Sequence, residues 1–474
     1  MILGGFAVAF TMVTILIKEQ TYISEVVFGT VFGILMGPYV ANVFDPRAWG
    51  GDRVTLEIMR IVLVVGLFAI GVELPRSFML DHLRGLLVLV VPTMAFGWLV
   101  VAGFIVLLFP NLNFTSALAI SACLTPTDPV ISAAIIGGKF ARKHVPQNVQ
   151  RMLAAESAAN DGLAYPFLSI AIYLTVESSR RVAIGKWFLV GWLYQVIVGT
   201  TLGAVIGRAF CLLMRISQRR GYIDRESYIA QYFALVLFTT GVASSLGVDD
   251  LLAAFAAGNA ISWDGHFNEQ VENEGFASVV DLLLNCGCFI YIGTWMPFNS
   301  FNTPELGITP WRLVVLFVAV MLLRRIPSVL LLYKWVPEIR GWKEAMLCGH
   351  FGPMGVGAVF VSTLALSRLP TPHFPPENQQ EVLAANLQAL VSFVVLGSVI
   401  IHGLSIPSFS LIGTIRSRSV KLISPTSTSS QSTSPDWLSF ARRAPASVPH
   451  TTTVGGEDME SGSGQEEKES GVAK

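Results

Sequence analysis

The chain has 474 residues, of which 53% are hydrophobic and 14% charged, with no formal net charge and a mean hydropathy of +0.60. A soluble chain carries about 25% charged residues, so this composition excludes an ordinary soluble domain, and the lack of a basic excess gives nucleic acid nothing to hold. The apolar runs are continuous and not alternating, which points to an all-α polytopic membrane protein and away from a β-barrel.

A spanning helix needs about 20 mainly apolar residues. About thirteen stretches qualify, near residues 2–17, 22–43, 55–74, 85–109, 114–137, 150–176, 187–213, 228–247, 249–263, 276–297, 311–335, 343–367 and 382–412. The first lacks a basic leader and a small-residue cleavage site, so it reads as a membrane helix and not as a signal peptide. The ninth is short, as a tilted or half-inserted segment would be. The five cysteines (Cys123, Cys211, Cys286, Cys288 and Cys348) all lie within apolar segments and suggest neither a disulfide framework nor a zinc site.

Glu73 ends the third run, in Val72-Glu73-Leu74-Pro75, where an acid is either solvated or part of a cation path. The fifth run is interrupted at Leu124-Thr125-Pro126-Thr127-Asp128-Pro129-Val130. Its prolines remove helical donors and clash with the preceding turn. The unwound carbonyls beside Thr127 and Asp128 suit a cation, and Asp128 also suits a helix cap. The sixth run carries Glu156, Ser157, Asn160 and Asp161. A spacing of four sets Glu156 beside Asn160 and Ser157 beside Asp161 on neighbouring strips of one helix. An acid near the bilayer centre costs about 2.5–3.5 kcal/mol on insertion scales, and such residues mark ion or proton pathways by default. The bland alternative is a polar cluster that only locks helix packing.

Asp249-Asp250 opens the ninth run, where acids complement the helix dipole, and capping ranks above transport there. Arg324 and Arg325 lie deep in the eleventh run, before Ile326-Pro327. A buried guanidinium needs carboxylate or carbonyl partners. Glu156 is the natural one, since Asp161 must stay free to exchange ligands, and one arginine of the pair is able to snorkel to the interface. Gly349-His350-Phe351-Gly352-Pro353-Met354-Gly355-Val356-Gly357 interrupts the twelfth run, with His350 expected to be packed or hydrogen-bonded. Two broken helices in corresponding places of two halves are the best sequence pointer to a transporter's midplane site.

Orientation follows the Lys/Arg bias of short loops. The basic connections run from Arg76 to Arg84, from Lys139 to Arg151 with Arg142 and Lys143, from Arg215 to Arg225, and from Lys334 to Lys343. With thirteen spans they share one side, the cytoplasm, with a tail bearing Arg416, Arg418 and Lys421. Arg180, Arg181 and Lys186 fall on the other side, and the acidic stretch Asp264 to Glu274 falls inside; both run against the rule. Residues 1–413 therefore read as a membrane domain and 414–474 as a disordered cytoplasmic tail, Ser/Thr-rich and then acidic.

Thr127-Asp128-Pro129 on a broken helix, followed by Glu156-Ser157-x-x-Asn160-Asp161-Gly162, resembles the monovalent cation:proton antiporters. Val72-Glu73-Leu74-Pro75, Asp249-Asp250-Leu251-Leu252-Ala253, Ala257-Gly258-Asn259-Ala260 with Trp263-Asp264, and Phe351-Gly352-Pro353-x-Gly355-Val356-Gly357 bring it closer to the fungal plasma-membrane Na+/H+ antiporters. The resemblance implies inverted repeats with two crossed broken helices, a homodimer in the lipid bilayer, no cofactor, and exchange of Na+ or Li+, and often K+, for H+. It implies that Asp161 is shared by cation and proton, with Ser157 and Thr127 as oxygen ligands of the metal ion. Asp128 and Glu73 then build or neutralise the site, Glu156 pairs with Arg325, and Asn160 replaces a second aspartate found in other branches. Pro126, Pro129, Gly352, Pro353 and Gly355 mark the breaks. Two rival readings are an intramembrane aspartyl protease using Asp128 and Asp161, whose Gly-x-Gly-Asp pattern is absent, and a solute symporter or sensor on the same fold.

Overall fold

Each of the thirteen apolar stretches carries a helix or a pair of half-helices in the computed structural model, which describes residues 1–20, 24–136, 145–265, 267–268 and 276–423. In order they are α1 (Ile2–Gln20), α2 (Glu25–Met36), α3 (Gly51–Glu73), α4 (Leu83–Leu108), α5 (Phe114–Leu124), α6 (Pro129–Ile136), α7 (Gln147–Val176) and α8 (Arg180–Arg219). There follow α9 (Arg225–Leu246), α10 (Asp250–Ser262), α11 (Phe276–Trp295), α12 (Pro310–Leu323), α13 (Ile326–Leu332), α14 (Trp342–His350), α15 (Val356–Leu366) and α16 (Gln379–Ile423). Among the described residues there is no strand, only an isolated bridge between Thr303 and Ile308. The chain is a multi-pass, all-helical membrane protein. Lys139, Arg142, Lys143, Glu274 and residues 424–474 lie outside the described residues.

Among the described residues five helices are individually long and apolar enough to cross a membrane: α3, α4, α8, α12 with its continuation to Trp335, and α16 up to Ser405. Others divide a span between two pieces, α5 with α6 and α14 with α15. Their breaks fall at the Pro- and Gly-rich stretches, where the helical ladder loses donors. Helix α2 stops at Met36 because Gly37-Pro38 cannot continue it. The short α10, about 20 Å long by helical rise, starts at Asp249, whose carboxylate accepts the Leu252 N–H at 2.9 Å.

Close glycine contacts set the packing of several helices. A Cβ at Gly203 or Gly207 of α8 would lie 2.0 or 2.3 Å from the Ala253 or Ala257 carbonyl of α10. At Gly258 of α10 it would lie 2.3 Å from the Phe68 carbonyl of α3, and at Gly33 of α2 it would lie 2.1 Å from the Ile290 carbonyl of α11. These helices touch backbone to backbone, as small residues allow in membranes. The acidic start of the 264–274 stretch also has an explanation in packing. Asp264 accepts from Arg208 at 3.0 Å and pairs with Arg215, so it sits among the cations at the end of α8.

Candidate functional site

The two breaks meet. The Asp128 N–H donates to the Pro353 carbonyl at 2.8 Å, so the unwound stretch between α5 and α6 lies directly on that between α14 and α15. Each crossing leaves N–H groups at the start of the second half-helix and carbonyls at the end of the first. Asp128 serves the N–H ends. Its Oδ1 accepts from Ile131 of α6 at 2.8 Å and its Oδ2 from Gly357 of α15 at 3.1 Å.

Arg324 serves the carbonyl ends. It donates to Leu124, Thr125 and Pro126 at 2.7, 2.8 and 3.0 Å, and to the Gly352 carbonyl. A carboxylate at helix starts and a guanidinium at helix ends is the arrangement the backbone dipoles favour. The eleventh run is itself broken at Arg324-Arg325, between α12 and α13, a third break that the sequence marks only by Pro327. Neither arginine snorkels. They are 4% and 5% exposed, because each has found internal acceptors.

Arg325 lies against Glu156 of α7, with Nη2 to Oε2 at 2.6 Å and Nη1 to Oε1 in closer contact, and its Nε donates to the Cys348 carbonyl at 2.9 Å. Glu156 is fully buried. Asn160, one turn along α7, clamps Thr127: its Oδ1 accepts the Thr127 N–H at 3.0 Å and its Nδ2 donates to Oγ1 at 2.8 Å. The Thr127 and Ser157 hydroxyls are 2.9 Å apart, and Ser132 Oγ is 3.4 Å from Ser157 Oγ.

Asp161 differs from every other acid in this cluster. It is 2% exposed, and neither carboxylate oxygen has a hydrogen-bond partner among the described residues. A buried charge without a partner is costly. The carboxylate lies against the first turn of α15 and lines a cavity of about 160 Å³, together with Tyr165, Gln195, Asp249, Asp250 and Arg60.

Sequence reasoning missed most of that cavity. Gln195 and Arg60 are polar groups inside apolar runs, the signal that singled out Asp161. Asp249 caps α10 and also faces the cavity. Asp250 accepts from Ser244 at 2.9 Å and pairs with Arg60 at 3.2 Å.

Glu73 is elsewhere. It lines a second cavity of about 180 Å³ with Pro129, Val130, Tyr232, Asp281 and Asn285. Arg60 and Glu73 stand 13 residues apart on α3, about 20 Å by helical rise. The structure therefore brings Thr127, Asp128, Glu156, Ser157, Asn160, Asp161 and Arg325 together and leaves Glu73 apart. His350 is held by Ser405 Oγ at 2.9 Å and stands beside His402.

A sequence profile described as sodium/hydrogen exchanger, transmembrane, matches residues 6–411. A probable Na+/H+ antiporter of Schizosaccharomyces pombe is 45% identical over 86% of this chain and 55% of its own length. Na+/H+ antiporter 2 of Zygosaccharomyces rouxii is 42% identical over 85% of this chain and 51% of its own. The chain thus spans about half the length of these relatives. A second Schizosaccharomyces pombe Na+/H+ antiporter is 36% identical over 87% of this chain and 90% of its own length. The fold is similar to that of a sodium proton antiporter from Methanocaldococcus jannaschii, with a TM-score of 0.61 and 16% identity over 86% of this chain and 98% of that one.

Proposed function

The chain belongs to the sodium/hydrogen exchanger family, and on that premise we propose that it exchanges Na+ or Li+, and K+ as well, for H+ across the plasma membrane. The observation that carries the proposal is Asp161, a buried carboxylate at a cavity wall whose two oxygens have no hydrogen-bond partner among the described residues. An isolated charge in a dry site is tolerated once a proton or a cation neutralises it. Proton and cation then compete for the same two oxygens. Hard cations take oxygen ligands, and the Ser157 and Thr127 hydroxyls supply them beside Asp161. If the site changes sides only when neutralised, exchange is obligatory.

The other polar groups build the site. Glu156 with Arg325, Asp128 with the two half-helix starts, and Asn160 with Thr127 all have partners already. Glu73, on its separate cavity, is a station on the path to the other face. The protease reading is disfavoured by the same contacts. Both Asp128 oxygens accept backbone N–H groups and are unsuited to activating a water with Asp161.

The sidedness proposed is that of the basic loops, with the C-terminal tail of residues 414–474 cytoplasmic. The homodimer rests on the family resemblance. Proton flux in proteoliposomes tests the proposal, with Na+, Li+, K+ and choline chloride added in turn. Flux driven by the alkali cations and not by choline is expected; no cation-driven flux would overturn it.

A further inference from the structure

One face of α15 and the turn after it lines the Asp161 cavity, through Phe360, Val361, Leu364 and the exposed Arg368. A turn before Phe360, on the same face, stands Gly357. It lies in the first turn of the helix, with no left-handed φ, so conformation does not call for glycine there. Glycine is also among the poorest helix formers. What a side chain would meet is Asp161. A Cβ at 357 would lie 2.6 Å from Oδ1, 2.8 Å from Oδ2 and 3.0 Å from Cγ. The neighbouring Gly355 is pressed instead against Ile131 and Asp128.

We propose that Gly357 is a specificity-determining position: the room left by its missing side chain fixes where the Asp161 carboxylate, and the cation on it, can lie. The proposal rests on the reading of Asp161 as the exchange site. The backbone of α15 cannot easily yield to a larger residue, because the Gly357 N–H is bonded to Asp128 and the Asp128 N–H to Pro353. A methyl group at 357 therefore displaces the carboxylate from the position it holds against the first turn of α15. Binding of the cation weakens, and the balance between proton and cation changes. The N–H of residue 357 is kept by alanine, so the crossing of the breaks is kept too.

The test is proton flux in proteoliposomes against Na+ concentration at several pH values, for wild type, Gly357→Ala, Gly357→Ser and Gly241→Ala. Gly241 meets nothing within 4 Å and serves as the helix-glycine control. Thermal unfolding in detergent reports folding. Gly357→Ala is expected to raise the KM for Na+ by about tenfold, roughly 1.4 kcal/mol of binding, and to displace the pH profile, while maximal flux and unfolding temperature stay close to wild type. Gly241→Ala should match wild type in KM and pH profile. A wild-type KM and pH profile in Gly357→Ala would overturn the inference. So would failure of both 357 variants to fold while Gly241→Ala folds, because 357 would then be a packing position. Wild type without Na+-driven flux would instead remove the reading of Asp161 itself.

Discussion

Two regions of this molecule are held together by different physics. Helices α2, α3, α8, α10 and α11 are joined through glycines that press one backbone on another, as at Gly33 on Ile290, Gly203 on Ala253 and Gly258 on Phe68. No charge is needed for those contacts. Helices α5, α6, α13, α14 and α15 are instead broken, and polar groups tie their loose ends to one another and to α7. Asp128 takes the N–H ends, Arg324 the carbonyl ends, and Arg325 holds Glu156. The comparison teaches where an exchangeable ion can act. In the first region the charges that are present, such as Arg60 with Asp250, stand beside these glycine contacts and do not make them. In the second, the neighbouring charges are already engaged, and Asp161 is left able to change partner.

Substitutions that move one region and not the other sharpen that contrast. The largest expected effect is that of Glu156→Gln. Removing one partner of a buried ion pair strands the other, and typically costs about 3–5 kcal/mol. Thermal unfolding of the purified protein should fall markedly, with cation selectivity little changed. An unfolding temperature equal to wild type would break the assignment of Glu156 and Arg325 to the framework. Next comes Gly203→Ala, whose Cβ would stand 2.0 Å from a carbonyl that cannot rotate away. Overpacking of this kind costs about 1–3 kcal/mol, and the loss should be the same with and without Na+. A loss that Na+ reverses would blur the two regions into one. Smallest is Gly241→Ala on α9, where nothing lies within reach. Alanine there should gain up to about 1 kcal/mol through helix propensity, read as a slight rise in unfolding temperature.

Much of the second region was legible in the sequence because its devices are local. Prolines and glycines mark the breaks at Pro126, Pro129, Gly352, Pro353 and Gly355, and an acid in an apolar run announces itself, as Glu156 and Asp161 do. The roles were less legible than the positions. Asn160 reads as a neutral stand-in for an acid, yet its amide is used up on Thr127, across the space between two helices. Arg324 reads as a cation in need of carboxylate or carbonyl partners, and it finds four carbonyls, from two breaks far apart in the chain. Glu73 and Asp161 look like members of one path, yet they line two cavities, with Arg60 at the Asp161 cavity and Glu73 at the other on the same helix α3. The glycine contacts of the first region left a trace in the four-residue spacing of Gly199, Gly203 and Gly207. Spacing names a face, however, and not the backbone opposite. A cavity leaves no local trace at all, since it is made by helices that stop short of touching.

The central claim is that cation and proton compete for Asp161. The most direct measurement is proton release from purified protein in weakly buffered detergent when NaCl, and separately choline chloride, is added, for wild type and Asp161→Asn. The amide matches the carboxylate in shape and cannot titrate. The account predicts that Na+ releases protons from wild type, that choline does not, and that Asp161→Asn releases none while unfolding at the wild-type temperature. Undiminished Na+-driven release from folded Asp161→Asn would contradict it.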